Sequence, residues 1–311
     1  MEIELSDFYS RLGTIAIILV LGFLLGKFKL ISPKTNKDLV NLLLTVFMPA
    51  SLFVAFPASY SDEKSEMFLY GLAGGFIMMI TVIIASKLIF NKKFYKNEKQ
   101  RSAAQFALIF NNATFLGYPI IASTFGEQGI IPYCGFIIAF NIALFSYGVW
   151  LFRHKVDGKL ILDVITNPNI IAVVLGLIVF LTSFQLPSFV KDAVQFTGNA
   201  TTALSIICVG YMLSGAHFLK LIKKWKLMLT ALIQLIVGPL ATWVVLSLLN
   251  FPEEVIIVCT LIQALPTATS LGLFASKYGG DQTEASELVT ISTVLSIVTM
   301  PIMISILLIQ H

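Results

Sequence analysis

The fold is decided by two stretches, FNNATFLGYPIIASTFGE at residues 110–127 and QALPTATSLGLFASKYGG at residues 263–280. Each stretch places a proline and several polar residues inside sequence that is otherwise apolar enough for a membrane. A shift of 153 positions, without a gap, aligns Thr114 with Thr267, Ala122-Ser123 with Ala275-Ser276, and Phe125-Gly126 with Tyr278-Gly279. The match predicts that the chain contains two copies of one unit.

The composition indicates an integral membrane protein. Hydrophobic residues make up 57% of the chain and charged residues 12%, with a mean hydropathy of +0.88, whereas soluble domains are roughly 45–50% apolar. About 20 apolar residues are needed to cross the hydrocarbon layer as a helix, and we predict ten such spans, all α-helical. In chain order, spans 1–10 are residues 8–26, 39–58, 67–90, 103–125, 130–152, 163–184, 193–215, 227–249, 254–276 and 287–309.

The basic residues predict how these spans are oriented, because cytoplasmic loops collect Lys and Arg. If alternate loops face the same side, one side receives all of the 21 Lys and Arg residues except Arg11, Lys64 and Lys191. That side is predicted to be the cytoplasm, so both termini are expected outside the cell, in a multi-pass protein of the plasma membrane. The modest excess of positive charge is then an orientation signal, and no nucleic-acid partner is expected.

Five spans in each copy is an odd number, so the second copy must enter the membrane from the opposite side. We therefore predict a 5+5 inverted repeat, with residues 1–155 as the first unit and residues 156–311 as the second. Paired interruptions at matching places in two halves are typical of a transporter's binding site. An intramembrane enzyme is disfavoured, because the spans contain no pair of Asp residues and no Ser/His pair that could catalyse a reaction.

Four motifs resemble the auxin efflux carrier family. They are Asn112-Ala-Thr-Phe-Leu-Gly117-Tyr-Pro119 in span 4, Asn167-Pro168-Asn169 with Gly176 in span 6, Ala264-Leu265-Pro266 with Phe274-Ala275 and Tyr278 in span 9, and Pro49 in span 2. The chain is most similar to microbial members, because only about ten residues (153–162) join the two halves, where plant carriers have a long hydrophilic loop.

The resemblance implies a fold similar to that of the bile acid sodium symporters. In such a fold spans 4 and 9 are broken and cross near the membrane centre. They belong to a transport unit formed by spans 3–5 and 8–10, while spans 1, 2, 6 and 7 form a scaffold. Members of the family are typically homodimers through the scaffold.

At the crossing, helix amino termini would favour a negatively charged substrate. The candidate substrate-binding residues are Asn111, Asn112, Pro119, Gln263, Pro266 and Thr267. Each type of side chain has a structural role as its alternative. The asparagines could form hydrogen bonds between helices, and the prolines could cause ordinary helix kinks. Thr267, with Thr269 and Ser270, could donate hydrogen bonds to carbonyls that the break leaves free. Gln105 and Gln234 are expected to serve packing, away from the break.

The sequence leaves the driving force open. Proton coupling is disfavoured, since the carboxylates lie at span ends and His154, His217 and His311 lie outside the spans. Sodium, the one candidate cofactor, could bind near Thr267, Thr290, Ser292 and Thr293, while uniport driven by the membrane potential is equally compatible.

The leading hypothesis is a carrier of a small organic anion, such as a carboxylate, that exports it by elevator-like alternating access within the lipid bilayer. The alternatives are a sodium-coupled symporter and a receptor that has the fold but transports nothing.

Overall fold

The computed structural model describes residues 5–55, 61–153, 162, 165–215 and 223–309. Within these ranges the regular structure is helical, as predicted. The helices are α1 (Leu5–Lys27), α2 (Pro33–Leu42), α3 (Met48–Val54), α4 (Asp62–Ile89), α5 (Glu98–Ile109), α6 (Tyr118–Ala143), α7 (Val149–Arg153), α8 (Pro168–Thr182), α9 (Ser188–Ser214), α10 (Trp225–Leu248), α11 (Glu253–Ala264), α12 (Leu271–Tyr278) and α13 (Gln282–Ile309). The predictions made for the first four residues, for most of the link between the halves, and for His154, His217 and His311 lie outside the described residues.

Three short π-helical turns interrupt or precede these helices. Leu43–Phe47 joins α2 to α3, Ala113–Gly117 precedes α6, and Leu144–Gly148 joins α6 to α7. A π-turn inserts one residue into the helical hydrogen-bond pattern, and such turns are frequent at functional sites.

Six continuous helical runs in the described part of the chain are long and apolar enough to cross a membrane. They are Pro33–Val54, Asp62–Ile89, Ala113–Arg153, Ser188–Ser214, Trp225–Leu248 and Gln282–Met303, and Gly13–Lys27 and Pro168–Thr182 are shorter apolar helices. The count falls below ten partly because α5 and α11 have only 12 residues each before the chain leaves the helical conformation. The structure therefore describes a multi-pass helical protein, and the ten-span count stays a prediction.

Two glycines with positive φ end the helical segments that follow the interruptions. Gly126 (φ 55°, ψ −138°) kinks the helical run Ala113–Arg153, and Gly279 (φ 92°, ψ 17°) ends α12. Side chains other than glycine's are disfavoured in this region of backbone space. The two positions are aligned by the shift of 153, so the two predicted copies share a glycine with positive φ at the same place.

Polar contacts identify which helix ends lie together. Lys64 Nζ lies 2.9 Å from Glu127 Oε1, and both residues line a surface cavity with Glu63 and Glu254. We call this the acidic end of the molecule. At the starts of α5, α10 and α13, Gln100 Nε2 donates to Glu284 Oε2 at 2.9 Å, and Lys224 lies 2.5 Å from a carboxylate oxygen of Glu287. We call this the basic end.

The most extensive helix packing falls into two groups. One contains α1 with α9, and α3 with both α8 and α9; the other contains α4 with α6, and α10 with α4, α11 and α13. Glycine allows two backbones in each group to touch, as at Gly22 beside the carbonyl of Ile207 and Gly135 beside that of Phe68. Close packing through small residues is the usual means of association between helices in a membrane.

Candidate functional site

The two interruptions predicted from the sequence lie against each other. The Asn112 N–H donates to the Pro266 carbonyl at 2.7 Å, and the Ala268 N–H donates to the Phe110 carbonyl at 2.8 Å. These bonds flank an antiparallel bridge between Asn111 and Thr267. Backbone groups that leave a helix in a membrane need partners within the protein, and here each interruption supplies them for the other.

Three buried amide side chains bind the carbonyls at the carboxyl ends of α5 and α11. Asn111 Nδ2 donates to Gln263 O at 2.7 Å, Gln263 Nε2 to Leu108 O at 2.6 Å, and Gln234 Nε2 to Leu265 O at 2.7 Å. We call Asn111, Gln234 and Gln263 the amide clamp. It satisfies carbonyls that the ends of the two helices would otherwise leave without partners.

The expectation that Gln234 lies away from the break is wrong. Packing of α10 against α11 brings its side chain to Leu265, and its Oε1 also lies 3.5 Å from Thr267 Oγ1. Gln105 serves packing as expected, because its Nε2 donates to the Phe90 carbonyl at 2.9 Å, outside the crossing.

Several polar atoms of this region are buried without a partner among the described residues. The nitrogens of Asn111 and Gln263 donate to carbonyls, but Asn111 Oδ1 and Gln263 Oε1 accept no hydrogen bond from the described residues. Asn112 has the opposite arrangement: its Oδ1 accepts from the Phe115 N–H at 3.3 Å, and its Nδ2 has no acceptor. A partnerless buried polar group costs about 1–3 kcal/mol, so these atoms are the first candidates for contact with a ligand.

A cavity of about 320 Å³ lies next to the crossing, on the side of the basic end. Three residues that directly precede helical segments line it: Asn112 before the π-turn and α6, Asn167 before α8, and Ser270 before α12. Asn112 and Asn167 cap their segments through the side chain, whereas Ser270 makes no such bond. Each amino terminus carries a partial positive charge of roughly half an elementary charge, so three amino-terminal residues in one wall favour an anion.

Neutral polar side chains and aromatic rings form the cavity wall. The amides are Asn41, Asn111, Asn112, Asn141, Asn167 and Asn169, and the rings are those of Phe115, Phe140, Phe145 and Phe274. None of the described wall residues is Lys, Arg, Asp or Glu. The wall therefore contains a buried amide donor for an anion, Asn112 Nδ2, and aromatic rings that can cover an apolar group.

The structure places the predicted substrate residues in three different settings. Asn111 and Asn112 are in the cavity wall. Gln263, Pro266 and Thr267 form the crossing beside it. Pro119 is the second residue of α6, well beyond the extended segment at Phe110–Asn112. It lies within the helical run Ala113–Arg153, directly after the π-turn, so Pro119 follows the interruption and does not form it.

The predicted cation residues are divided between two places. The Thr267 N–H donates to Ser292 Oγ at 3.1 Å inside the crossing. Thr290 and Thr293 donate to the carbonyls of Ser286 and Val289, at 2.9 and 2.7 Å, and line a separate cavity of about 140 Å³. Thr267 and Ser292 thus come together, while the other two hydroxyls bond within their own helix.

Sequence reasoning did not assign several residues of the wall to the site. Nothing in the sequence indicated that Asn41 and Thr45 belong to the site. The segment that contains them, α2 and the π-turn after it, does not visibly match a segment in the other half of the chain. Asn141 is an amide within predicted span 5, and nothing else in the sequence links it to the interruptions. Asn167 and Asn169 belong to a motif that supported the family resemblance, and that motif could have indicated the site.

Comparison with known proteins agrees with this picture of a membrane carrier. The model of a family described as "Membrane transport protein" matches the chain at residues 8–158 and 152–304. The chain belongs to this family, which comprises the auxin efflux carriers and PIN-like proteins, so the resemblance predicted from the motifs is confirmed. The chain is accordingly a membrane transport protein and not an enzyme.

Individual relatives are distant but similar over most of their length. "Uncharacterized transporter YfdV" of Escherichia coli K12 is 24% identical over 96% of this chain and 98% of its own. "Uncharacterized transporter MJ1031" of Methanocaldococcus jannaschii is also 24% identical, over 76% and 78% of the two chains. An "Uncharacterized transporter" of Methanothermobacter thermautotrophicus is 21% identical over 93% and 95%.

Proposed function

We propose that the protein is a secondary transporter that carries a small organic anion through the cavity beside the crossing. The observation that carries the proposal is that the first residues of three helical segments lie in the wall of one cavity whose described wall is neutral. Helix ends and amide donors bind an anion without forming a charge pair, so release on the far side does not require the separation of opposite charges. The partnerless Nδ2 of Asn112 is the donor that we assign to the substrate carboxylate.

The wall chemistry favours a monocarboxylate with an apolar body over a dicarboxylate. Besides its amides and helix-end residues, the wall contains four phenylalanine rings and no described cationic side chain that could pair with a second carboxylate. A second carboxylate placed against the rings would lose its hydration without a compensating partner, which is costly. An aliphatic or aromatic group in that position would instead gain from burial.

For the mechanism we propose elevator-like alternating access in a ten-span inverted repeat. The two packing groups of helices correspond to a scaffold (spans 1, 2, 6 and 7) and a transport unit (spans 3–5 and 8–10). The basic end faces the cytoplasm by the distribution of Lys and Arg, with both termini outside the plasma membrane. The cavity then faces the cytoplasm, as export requires of the loading state, and a homodimer would form through the scaffold.

Binding and exchange experiments test the proposal together. We expect butyrate or phenylacetate to raise the melting temperature of the purified protein, as a ligand of the folded state does, and succinate to have a smaller effect. Proteoliposomes loaded with unlabelled anion should show trans-stimulated uptake of the labelled one.

The variant Asn112→Ala should weaken binding about tenfold or more, because a hydrogen bond to a charged group contributes about 1.5–3 kcal/mol. Gln105→Ala removes a similar amide outside the site and should leave binding unchanged. Binding without exchange would favour the receptor alternative, and equal affinities of wild type and Asn112→Ala would remove Asn112 from the site.

Sodium-coupled symport is a second candidate, favoured by the buried oxygen atoms at the crossing. Asn111 Oδ1 and Gln263 Oε1 accept no hydrogen bond from the part of the chain that the structure describes, and Thr267 Oγ1 and Ser292 Oγ lie in the same region. Oxygen atoms without donors suit a hard cation. If sodium binds there, sodium but not potassium should increase the stabilisation by the anion, and Ser292→Ala should abolish the increase. If sodium and potassium change the stabilisation by the anion equally, sodium coupling is excluded and uniport is the remaining mechanism.

A further inference from the structure

A second cavity, of about 310 Å³, lies between α1, the start of α6 and α13. Its wall includes Gly13, Ala16 and Leu19 of α1, Leu116 and Ile120 after the break, and Met300 of α13. These segments all lie between the crossing and the acidic end. The cavity is thus separate from the anion site, on the other side of the crossing.

The wall offers almost nothing for a polar ligand to recognise. Its two hydroxyl groups belong to Thr293 and Ser296. Both are already used, since Thr293 Oγ1 donates to Val289 O at 2.7 Å and Ser296 Oγ to Thr293 O at 2.8 Å. A cavity lined in this way remains dry and binds apolar groups.

The cavity is also open towards the surrounding hydrocarbon. Ile297 forms part of the wall and yet has 57% of its surface exposed. At Gly13, a Cβ would meet no atom within 4 Å. Beside the cavity, Ile17 (73% exposed) and Val298 (64% exposed) are further exposed apolar side chains. In a multi-pass membrane protein such a face borders the lipid bilayer, so we infer that molecules reach this opening from the bilayer.

We propose that this cavity is a binding site for one acyl chain of a membrane lipid. The chain would enter from the side and lie between α1 and the pair α6–α13. On the proposed function, α1 belongs to the scaffold and α6 and α13 to the transport unit, so the chain would occupy the gap across which these units slide. A lipid that binds one position of the transport unit better than the other shifts the population towards it.

Photocrosslinking tests the site without measuring transport. The protein is reconstituted in phosphatidylcholine vesicles that contain a small fraction of phosphatidylcholine with a diazirine in the middle of one acyl chain, and labelled peptides are quantified after irradiation. Around residues 13–19 and 297–301 we expect about tenfold more label than on the exposed face of α4 at Ile84 and Leu88, which corresponds to a preference of about 1.4 kcal/mol over bulk lipid.

Two variants and a control distinguish a defined site from ordinary lipid contact. In Gly13→Leu the new side chain fills part of the cavity and should remove the excess label. Ile84→Leu, on a lipid-facing surface elsewhere, should leave the excess label unchanged. Ala16→Leu serves the same purpose if Gly13→Leu is not monodisperse in size-exclusion chromatography. Label that equals that of α4, or that persists in both filling variants, would overturn the proposal. So would displacement of the label by phenylacetate, because the cavity would then belong to the anion.

If transport is absent but the excess label is present, the proposed function fails while the lipid site stands. If transport is present and the excess label is absent, the lipid site fails while the proposed function stands.

Discussion

At the scale of single residues, two glycines allow an isolated test of backbone conformation. A Cβ built on Gly126 or Gly279 meets no atom within 4 Å, so alanine fits sterically at both positions. Both have positive φ, and the pair of angles at Gly126 (φ 55°, ψ −138°) is much rarer for other residues than the left-handed helical conformation of Gly279. Any loss of stability on substitution must therefore come from the backbone.

We expect Gly126→Ala to destabilise the protein by about 1–3 kcal/mol, the cost of a residue held in a sparsely populated region. Gly279→Ala should cost about 1 kcal/mol, as at other left-handed helix ends. Thermal unfolding in detergent, followed by tryptophan fluorescence, measures both. Gly215, which has φ −85° and also has open space, is the matched control, and Gly215→Ala should be neutral or slightly stabilising. Equal melting temperatures for all three variants would mean that the positive φ values are not required.

At the scale of elements, the crossing depends on the amide clamp. Gln263→Leu leaves the Leu108 carbonyl without its donor in a fully buried position, so we expect a loss of about 1–3 kcal/mol. Gln105→Leu also removes an amide that bonds to a carbonyl, but its site is only partly buried and outside the crossing, and the loss should be smaller. Melting temperatures of the two variants in the same detergent give the comparison, and a smaller loss for Gln263→Leu would contradict the role of the clamp.

A second variant perturbs the clamp without removing a polar group. The side chain of Gln263 lies against Gly238 of α10, where a Cβ would be 2.6 Å from Gln263 Nε2. Gly238→Ala should therefore displace Gln263 and reproduce much of the effect of Gln263→Leu. Gly238 has no signal in the sequence apart from its place in a span.

The sequence was sufficient to predict the two interruptions but not to predict which residues contact them. The polar residues inside apolar sequence predicted breaks at both sites, and the structure has extended segments there, at Phe110–Asn112 and from Leu265 onward. Contacts between the interruptions and residues far along the chain cannot be predicted from the sequence pattern. For that reason Gln234 was expected away from the break and Asn41 was not assigned to the site. Proline lies inside the second interruption, where the Pro266 carbonyl accepts a hydrogen bond. At the first interruption Pro119 lies after the break, within the helical run Ala113–Arg153.

At the scale of the whole molecule, two ion pairs that each join the beginnings of two helices repeat one arrangement. Lys64 and Glu127 join the beginnings of predicted spans 3 and 5, and Lys224 and Glu287 join the beginnings of spans 8 and 10, their counterparts in the second copy. The first pair lies at the acidic end and the second at the basic end. An inverted repeat requires this, since equivalent helix ends in the two copies must lie on opposite sides of the membrane.

Cysteine labelling measures that orientation directly. Lys96 and Lys223 are exposed at the basic end, and Lys191 is exposed in the first turn of α9, which begins at the acidic end in the ten-span arrangement. Single cysteines are introduced at these positions in a chain whose buried Cys134, Cys208 and Cys259 are replaced by alanine. Intact cells that carry each variant are then treated with a maleimide that does not cross membranes. We expect labelling at Lys191→Cys before lysis and at Lys96→Cys and Lys223→Cys only after it. Labelling of Lys96→Cys or Lys223→Cys from outside would refute the proposed orientation. Labelling of only one of these two would refute the ten-span arrangement itself, because an even number of crossings separates them there.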